Sequence, residues 1–140
     1  MRHHVFAYGS LMFPQVWRRV VCGRPAARPA RLHGFERLTV RGETYPAIVE
    51  RAKAWVDGVV YLDVQAGDLQ RLDAFEGADY ERRALRVRLL DGAGDGLAAQ
   101  AYVWTDPSRL EDCSWDPDWF GRDGLPVFLA TYCRVRGVSG

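Results

Sequence analysis

The alternation of apolar and polar residues along the chain predicts a series of short β-strands. Residues 55–63 and 80–90 alternate most regularly, so one face of each strand is expected to be buried. Residues 5–8 form a short apolar run that stops at Gly9, which is typical of a buried strand entering a turn. Further strands are predicted at residues 30–40, 45–50 and 98–105.

A second pattern, with apolar residues three or four positions apart, predicts the helices. The clearest helix spans residues 66–75, where Leu69, Leu72 and Phe75 form one apolar face and Gly77 ends the run. Two further helices are predicted, one from Pro14 to a stop at Gly23 and one from about residue 125 to residue 134.

The order of these elements indicates the fold class. Strands are many and short, helices are few, and residues 91–96 form a glycine-rich turn between the last two strands. Gly34 is expected to kink the strand that contains it, and the chain after Pro107 is predicted to be irregular. We therefore predict a single α+β domain over residues 1–140. It is expected to contain a small curled, mostly antiparallel sheet or barrel with a few flanking helices.

Composition and charge narrow the classes of partner. The formal net charge is only +1, which argues against a nucleic-acid partner, because such proteins carry a basic patch or stripe. The basic segment 82–88 alternates with apolar residues, as the solvated face of a half-buried strand does. No apolar run approaches the roughly eighteen residues of a membrane span, so no membrane contact is predicted.

Cysteine use favours a reducing compartment. The chain has an odd number of cysteines, Cys22, Cys113 and Cys133, so a complete disulfide framework is not predicted. None of them belongs to a CxxC pair, so a zinc site is not predicted either. No signal segment is visible after Met1, and reduced thiols then predict a cytoplasmic protein. No motif requires a metal or another cofactor, and the oligomeric state is left open.

Two local features could carry chemistry. The first is the turn Tyr8-Gly9-Ser10-Leu11, where backbone N–H groups at the start of a helix can hold a carboxylate or an oxyanion. The second is Glu76, at the C-terminal end of the clearest helix, where a carboxylate is electrostatically disfavoured. In a partly dry cleft its pKa should rise, which would make it a base near neutral pH. The residues alone leave open a purely structural turn and a solvated helix end.

In this order and at this separation, the two features resemble the γ-glutamylcyclotransferase-like family. Within it they resemble the branch of small bacterial and plant proteins that are similar to the avirulence-induced protein of plants. The resemblance covers about residues 5–128. Its marks are YGSL at 8–11, YPAI at 45–48, the strand with Gly58, LDxFEG at 72–77, YxR at 80–82, YVW at 102–104 and WF at 119–120.

The resemblance implies an activity and roles for particular residues. It implies an enzyme without a metal or other cofactor, whose small-molecule partner is a γ-glutamyl compound. The substrate's α-amine attacks its own γ-carbonyl, which releases 5-oxoproline and an amine or amino acid. The family's catalytic glutamate falls on Glu76, which would act as the general base. The residues implied to bind the substrate are Tyr8, Gly9, Ser10 and Leu11 of the turn, followed by Tyr80 and Tyr102.

Three alternatives belong to other classes. The same fold could serve as a non-catalytic module that binds a small ligand. An amidase or acyl transferase could use Ser10 or Cys22 as its nucleophile, although neither has a histidine beside it in sequence. An interaction protein could use the aromatic, acidic segment 115–120, although a lid or core packing is favoured there. Glu81 is a rival carboxylate to Glu76, but strand alternation predicts that it is solvated or salt-bridged.

Overall fold

Six strands and several helical segments make up the described part of the chain, residues 2–92 and 96–133 of a computed structural model. The strands are β1 (Arg2–Ala7), β2 (Ala27–Val40), β3 (Pro46–Gln65), β4 (Tyr80–Leu89), β5 (Gly96–Trp104) and β6 (Leu110–Ser114). The α-helices are α1 (Pro14–Val20), α2 (Ala66–Glu76), α3 (Pro117–Trp119) and α4 (Leu125–Phe128). The 3₁₀ turns are Ser10–Met12 and Pro107–Arg109, and the π-helical turns are Phe120–Gly124 and Leu129–Cys133.

Five of the strands close into a barrel. The sheet order is β3-β1-β5-β4-β2-β6, and β3 also pairs with β2, which joins the two ends of the five-strand run. Neighbouring strands are antiparallel except β1 and β5, which run parallel with Val5 opposite Gln100. The predicted α+β class with a small, mostly antiparallel barrel is confirmed. None of the helices in the described residues is long and apolar enough to cross a membrane.

Side chains in and just after β1 are divided between two cores. Phe6 and Tyr8 belong to a cluster made of residues from the five barrel strands. Val5 and Ala7 belong to a second cluster, which Trp17 of α1 and residues of the other helices share. Because successive side chains of a strand point to opposite faces, β1 is held from both sides. The turn that follows β1 is therefore positioned by the barrel and by the helices together.

Two predicted strands, at residues 45–50 and 55–63, form one continuous strand, β3, so that division was wrong. The pairing of β2 with β3 shifts register between His33 and Phe35. Gly34 lies at this shift with a φ of +87°, which confirms the predicted kink. Opposite it, exposed polar residues of β3 form an irregularity that interrupts the alternation without ending the strand.

The chain after Pro107 is more regular than its sequence predicts. The strand β6 pairs with β2 outside the barrel, and its residues are mostly exposed, so no alternation marks it. The last predicted helix begins earlier than residue 125, at α3, and continues in α-helical and π-helical turns to Cys133. Residue 134 of that prediction and residues 93–95 of the predicted 91–96 turn lie outside the described residues.

Gly58 lies where β3 pairs with β1, and the pairing leaves no room for a side chain. A Cβ atom at Gly58 would lie 2.2 Å from the carbonyl oxygen of Ala7. We expect Gly58→Ala to lower the free energy of unfolding by about 2–4 kcal/mol, because backbone atoms must move to admit the methyl group. Urea denaturation measures the loss. The control is Gly67→Ala in α2, because a Cβ atom at Gly67 would meet only an arginine side chain, at 3.7 Å. Equal free energies of unfolding for the two variants would contradict the close packing at Gly58.

Candidate active site

A cavity opens at the end of the barrel where β1 leads into its turn. Its volume is about 130 Å³, enough for several water-sized groups. The C-terminal end of α2, the start of β4 and the C-terminal helical turns complete its wall. The structure brings together in this wall all the site residues predicted from the sequence: Tyr8, Gly9, Ser10, Leu11, Glu76, Tyr80 and Tyr102.

The turn after β1 presents the start of a short helical segment to this cavity. The Met12 N–H donates to the Gly9 carbonyl oxygen at 3.0 Å. The Phe13 N–H donates to the Ser10 carbonyl oxygen at 3.0 Å. The first N–H groups of a helical turn have no partner within the turn itself, and here they belong to Gly9, Ser10 and Leu11. All three residues line the cavity, so an anionic group bound there could accept hydrogen bonds from their N–H groups.

Gly9 is required by packing as well as by access to the backbone. A Cβ atom at this position would lie 2.9 Å from both Cγ and Cδ of Pro46. Glycine lets the backbone of a turn approach a ligand closely, and the structure adds a second reason for Gly9, the proline ring packed against it. A side chain at Gly9 would therefore displace the turn from the cavity wall or push Pro46 away.

Glu76 is the last residue of α2, and its side chain lines the cavity. Gly77, with a φ of +82°, ends the helix, and its N–H donates to the Asp73 carbonyl oxygen at 3.1 Å. Burial, and to a smaller extent the Asp73 carboxylate, raises the pKa of Glu76 from 4.5 to about 8. A carboxylate with this pKa binds and releases a proton near neutral pH, as a general base must.

Three phenols surround Glu76, and each donates its proton to a fixed acceptor. Tyr8 donates to the Tyr102 carbonyl oxygen at 2.6 Å, and Tyr80 donates to the Pro46 carbonyl oxygen at 2.9 Å. Tyr102 donates to Asp73 Oδ1 at 2.7 Å. Burial raises the pKa of all three phenols above 10, so they stay neutral at physiological pH. They shape the cavity and add no charge to it.

Asp73 also belongs to this region, although the sequence pattern did not mark it as a site residue. Its Oδ1 also accepts from Arg82 Nε at 2.8 Å, and Arg82 Nη1 donates to Gln100 Oε1 at 2.9 Å. Asp73 lies three residues before Glu76 on the same helix, a spacing that brings side chains onto one face. That spacing inside the LDxFEG motif is the signal that could have found it. Asp73 fixes the Tyr102 hydroxyl and supports the protonated form of Glu76.

Most of the other wall residues are aromatic, and they come from distant parts of the chain. Tyr45 packs edge-on against Phe128 and Tyr132, with ring centres 6.3 Å and 5.6 Å apart. The loop segments 24–31, 42–43 and 106–119 contribute no residue to this wall. The remaining wall residues are Phe6, Ala7, Pro46, Phe75 and Asp79.

The aromatic, acidic segment 115–120 serves mainly as packing. Trp115 and Phe120 are 3% and 0% exposed, and both belong to the core shared with the helices. The Trp115 indole N–H donates to the Thr44 carbonyl oxygen at 2.8 Å. The favoured interpretation as core packing is therefore correct for these two side chains, and Trp119 is the one large side chain of the segment that is exposed.

The rival catalytic groups lack the surroundings that their chemistry needs. Ser10 lines the cavity, but no histidine is among the described residues of the cavity wall. Cys22 is exposed and outside the cavity, and Glu81 is exposed on β4. Within residues 2–92 and 96–133, no group of three or more His, Cys, Asp or Glu side chains could hold a metal ion.

Raised pKa values affect stability, and Glu76 provides a test without substrate. Between pH 4.5 and about 8 the folded protein keeps a proton that the unfolded chain has released, so the free energy of unfolding falls as pH rises. Glu76→Gln removes this dependence. We expect nearly equal stabilities at pH 4.5 and below, and a variant more stable by about 4–5 kcal/mol at pH 9. Urea denaturation of both proteins at both pH values measures this difference in stability. A difference that does not change with pH would contradict the raised pKa of Glu76.

Solved structures with the same architecture define the class of this barrel. A solution structure from Arabidopsis thaliana superposes with a TM-score of 0.73 at 31% identity, covering 94% of this chain and 80% of that one. A structure described as gamma-glutamyl cyclotransferase superposes with a TM-score of 0.69 at 20% identity, covering 91% and 83%. The second likeness concerns the fold alone. The barrel with its terminal cavity thus has the γ-glutamyl cyclotransferase fold.

Sequence comparison assigns the family. A family model described as gamma-glutamyl cyclotransferase, AIG2-like, matches residues 5–119. AIG2-like protein D of Arabidopsis thaliana is 35% identical over 119 residues, covering 85% of this chain and 74% of that protein. The chain belongs to the AIG2-like gamma-glutamyl cyclotransferase family, so the resemblance drawn from the YGSL turn and the LDxFEG motif is confirmed.

Proposed function

We propose that the protein is an enzyme that cyclises γ-glutamyl compounds to 5-oxoproline, with Glu76 as the general base. The observation that supports this most strongly is the location of Glu76. A carboxylate with a pKa of about 8 lines the same small cavity as the backbone of Gly9 and Ser10. One group can therefore accept a proton where others stabilise a negative charge. Family membership supports the same reaction class.

The proposed reaction needs no external nucleophile. Glu76 removes a proton from the α-ammonium group, and the free amine attacks the γ-carbonyl carbon to form a new C–N bond and a tetrahedral oxyanion. When the oxyanion collapses, the bond to the original amide nitrogen breaks. Glu76 returns its proton to that nitrogen and the ring nitrogen loses its second proton to solvent, so 5-oxoproline and a free amine or amino acid leave. Because both reacting groups belong to one molecule, the cavity needs only to hold a folded conformer.

The turn is proposed to bind the anionic parts of the substrate. No arginine, lysine or histidine occurs among the described residues of the cavity wall. Three phenols of the wall already donate to protein acceptors. N–H groups of Gly9, Ser10 and Leu11 are therefore the best candidates to hold the substrate carboxylate and the oxyanion. Tyr80 and Tyr102 are proposed to shape the pocket around the γ-glutamyl chain.

The proposal is tested by a panel of γ-glutamyl amides, with 5-oxoproline measured as the product. Free γ-glutamyl amino acids, an ε-linked lysine isopeptide, glutathione and a simple γ-glutamyl alkylamide cover the main leaving groups. We expect 5-oxoproline from at least one of them. Tight binding without turnover across the panel would instead support the alternative, a non-catalytic ligand-binding module on the same fold.

A cytoplasmic location is proposed on the basis of the thiols. Cys22 and Cys113 are both free and exposed. Exposed free thiols are compatible with a reducing compartment and are uncommon in proteins of oxidising ones. The proposed partner is a small γ-glutamyl compound, and neither nucleic acid nor a membrane is proposed.

A further inference from the structure

Arg37 of β2 contacts the site from behind the cavity wall. Its Nη1 donates to the carbonyl oxygen of Tyr8 at 2.8 Å and to the carbonyl oxygen of Asp57 at 3.1 Å. Its guanidinium carbon lies 5.3 Å from the ring centre of Trp115, a cation–π distance. The residue does not line the cavity, yet it binds a peptide group of the turn that does.

The surroundings of Arg37 are unusual for a charged side chain. The side chain is partly buried, and burial lowers the pKa of Arg37. None of the ion pairs formed by the described residues includes Arg37, and the Asp57 carboxylate pairs with Arg31 instead. The cation is thus directed at main-chain oxygens and an indole ring. The Asp57 and Asp116 carboxylates also interact with this charge, but its hydrogen bonds go to peptide oxygens.

The peptide group between Tyr8 and Gly9 connects Arg37 to the turn that lines the cavity. Its C=O and N–H lie in one plane and point in opposite directions. A guanidinium bound to the Tyr8 oxygen therefore fixes the direction of the Gly9 N–H. It also draws electron density toward the oxygen, which makes the N–H a stronger donor. Tyr8 lies just past the end of β1, so no ladder of the barrel would otherwise fix this plane.

We propose that Arg37 is a positioning residue that holds the Tyr8–Gly9 peptide with the Gly9 N–H directed at the substrate. The cation acts through the peptide and does not touch the reacting atoms. The kinetic part of this inference rests on the proposed cyclisation, since the N–H would stabilise the anionic groups of that reaction. The structural part does not, because the amide of Gly9 can be observed without any substrate.

The test uses three variants of the full-length protein. Arg37→Met keeps the length and apolar stem of the side chain but removes the charge and the donors. Arg37→Lys keeps a cation and one donor to restore part of the contact. Arg83→Met is the matched control, because Arg83 also lies over an aromatic ring, 5.8 Å from the centre of Phe35, without touching the turn. Each protein is measured well below its melting temperature.

Two readouts separate the inference from the proposed function. In ¹⁵N–¹H spectra we expect the chemical shift of the Gly9 amide to change in Arg37→Met and to return toward the wild-type value in Arg37→Lys. In Arg83→Met it should keep the wild-type value. In the 5-oxoproline assay we expect kcat of Arg37→Met to fall roughly tenfold to a hundredfold, with a smaller rise in KM because the same N–H groups are proposed to bind the substrate carboxylate. An unchanged chemical shift of the Gly9 amide in Arg37→Met would overturn the inference. An equal loss of kcat in Arg83→Met would overturn it as well. If the wild-type protein makes no 5-oxoproline, the proposed function is refuted. The chemical shift of the Gly9 amide still tests the role of Arg37 in that case.

Discussion

Glu76→Gln is expected to lower kcat for 5-oxoproline release by on the order of 10²–10⁴-fold while the barrel stays folded. The amide keeps the size of the carboxyl group but cannot accept the proton of the α-ammonium group. Without deprotonation the amine has no lone pair with which to attack. KM should change much less, because glutamine fills the same volume of the cavity wall.

The matched control is Glu81→Gln, which neutralises an exposed carboxylate five residues further along the chain. It should keep wild-type kinetics, since Glu81 faces solvent and does not line the cavity. Circular dichroism and melting curves of both variants verify the fold. A Glu76→Gln protein with near wild-type activity would show that another group removes the proton.

The second large effect is expected from Gly9→Ala. The added methyl carbon would lie 2.9 Å from the Pro46 ring, so the turn must move to relieve the overlap. A shift of up to about 1 Å in the N–H groups that are proposed to hold the oxyanion costs up to roughly 10²-fold in rate. We expect kcat/KM to fall by about that factor, measured as 5-oxoproline release.

A second substitution shows whether the overlap is the cause. Pro46→Ala removes the ring atoms nearest to Gly9, and it keeps the carbonyl oxygen that accepts from Tyr80. The double variant should recover a large part of the activity lost in Gly9→Ala, and Pro46→Ala alone should be mild. Wild-type activity in Gly9→Ala would refute the packing argument, and so would a double variant no better than the single one.

The two parts of the site could be predicted because each is a local pattern. The Tyr8–Leu11 turn is a strand, a glycine and a helix start in four consecutive residues. Glu76 ends an amphipathic helix that Gly77 stops, and the structure keeps both features. Tyr80 and Tyr102 depended on the family resemblance, because nothing in a single strand pattern marks a pocket residue. The structure puts all of them in one cavity wall.

Features that depend on the path of the whole chain could not be predicted. Arg37 binds a peptide 29 positions away, and the C-terminal helical turns bring Phe128 and Tyr132 to the wall of the cavity. The local sequence pattern gave a wrong prediction of strands in two places. The irregularity opposite Gly34 looked like a gap between strands, and exposed β6 had no alternation to detect. In each case pairing with β2 decided the structure, and pairing partners are not visible from one sequence.

The central claim is that the γ-glutamyl carbonyl is attacked by the substrate's own amine and not by water. The most direct measurement is mass spectrometry of the acid product after turnover in H₂¹⁸O, with the best substrate of the panel. Cyclisation predicts 5-oxoproline without ¹⁸O, because no solvent oxygen enters the new ring. Release of glutamate carrying one ¹⁸O would contradict the account and identify a hydrolase.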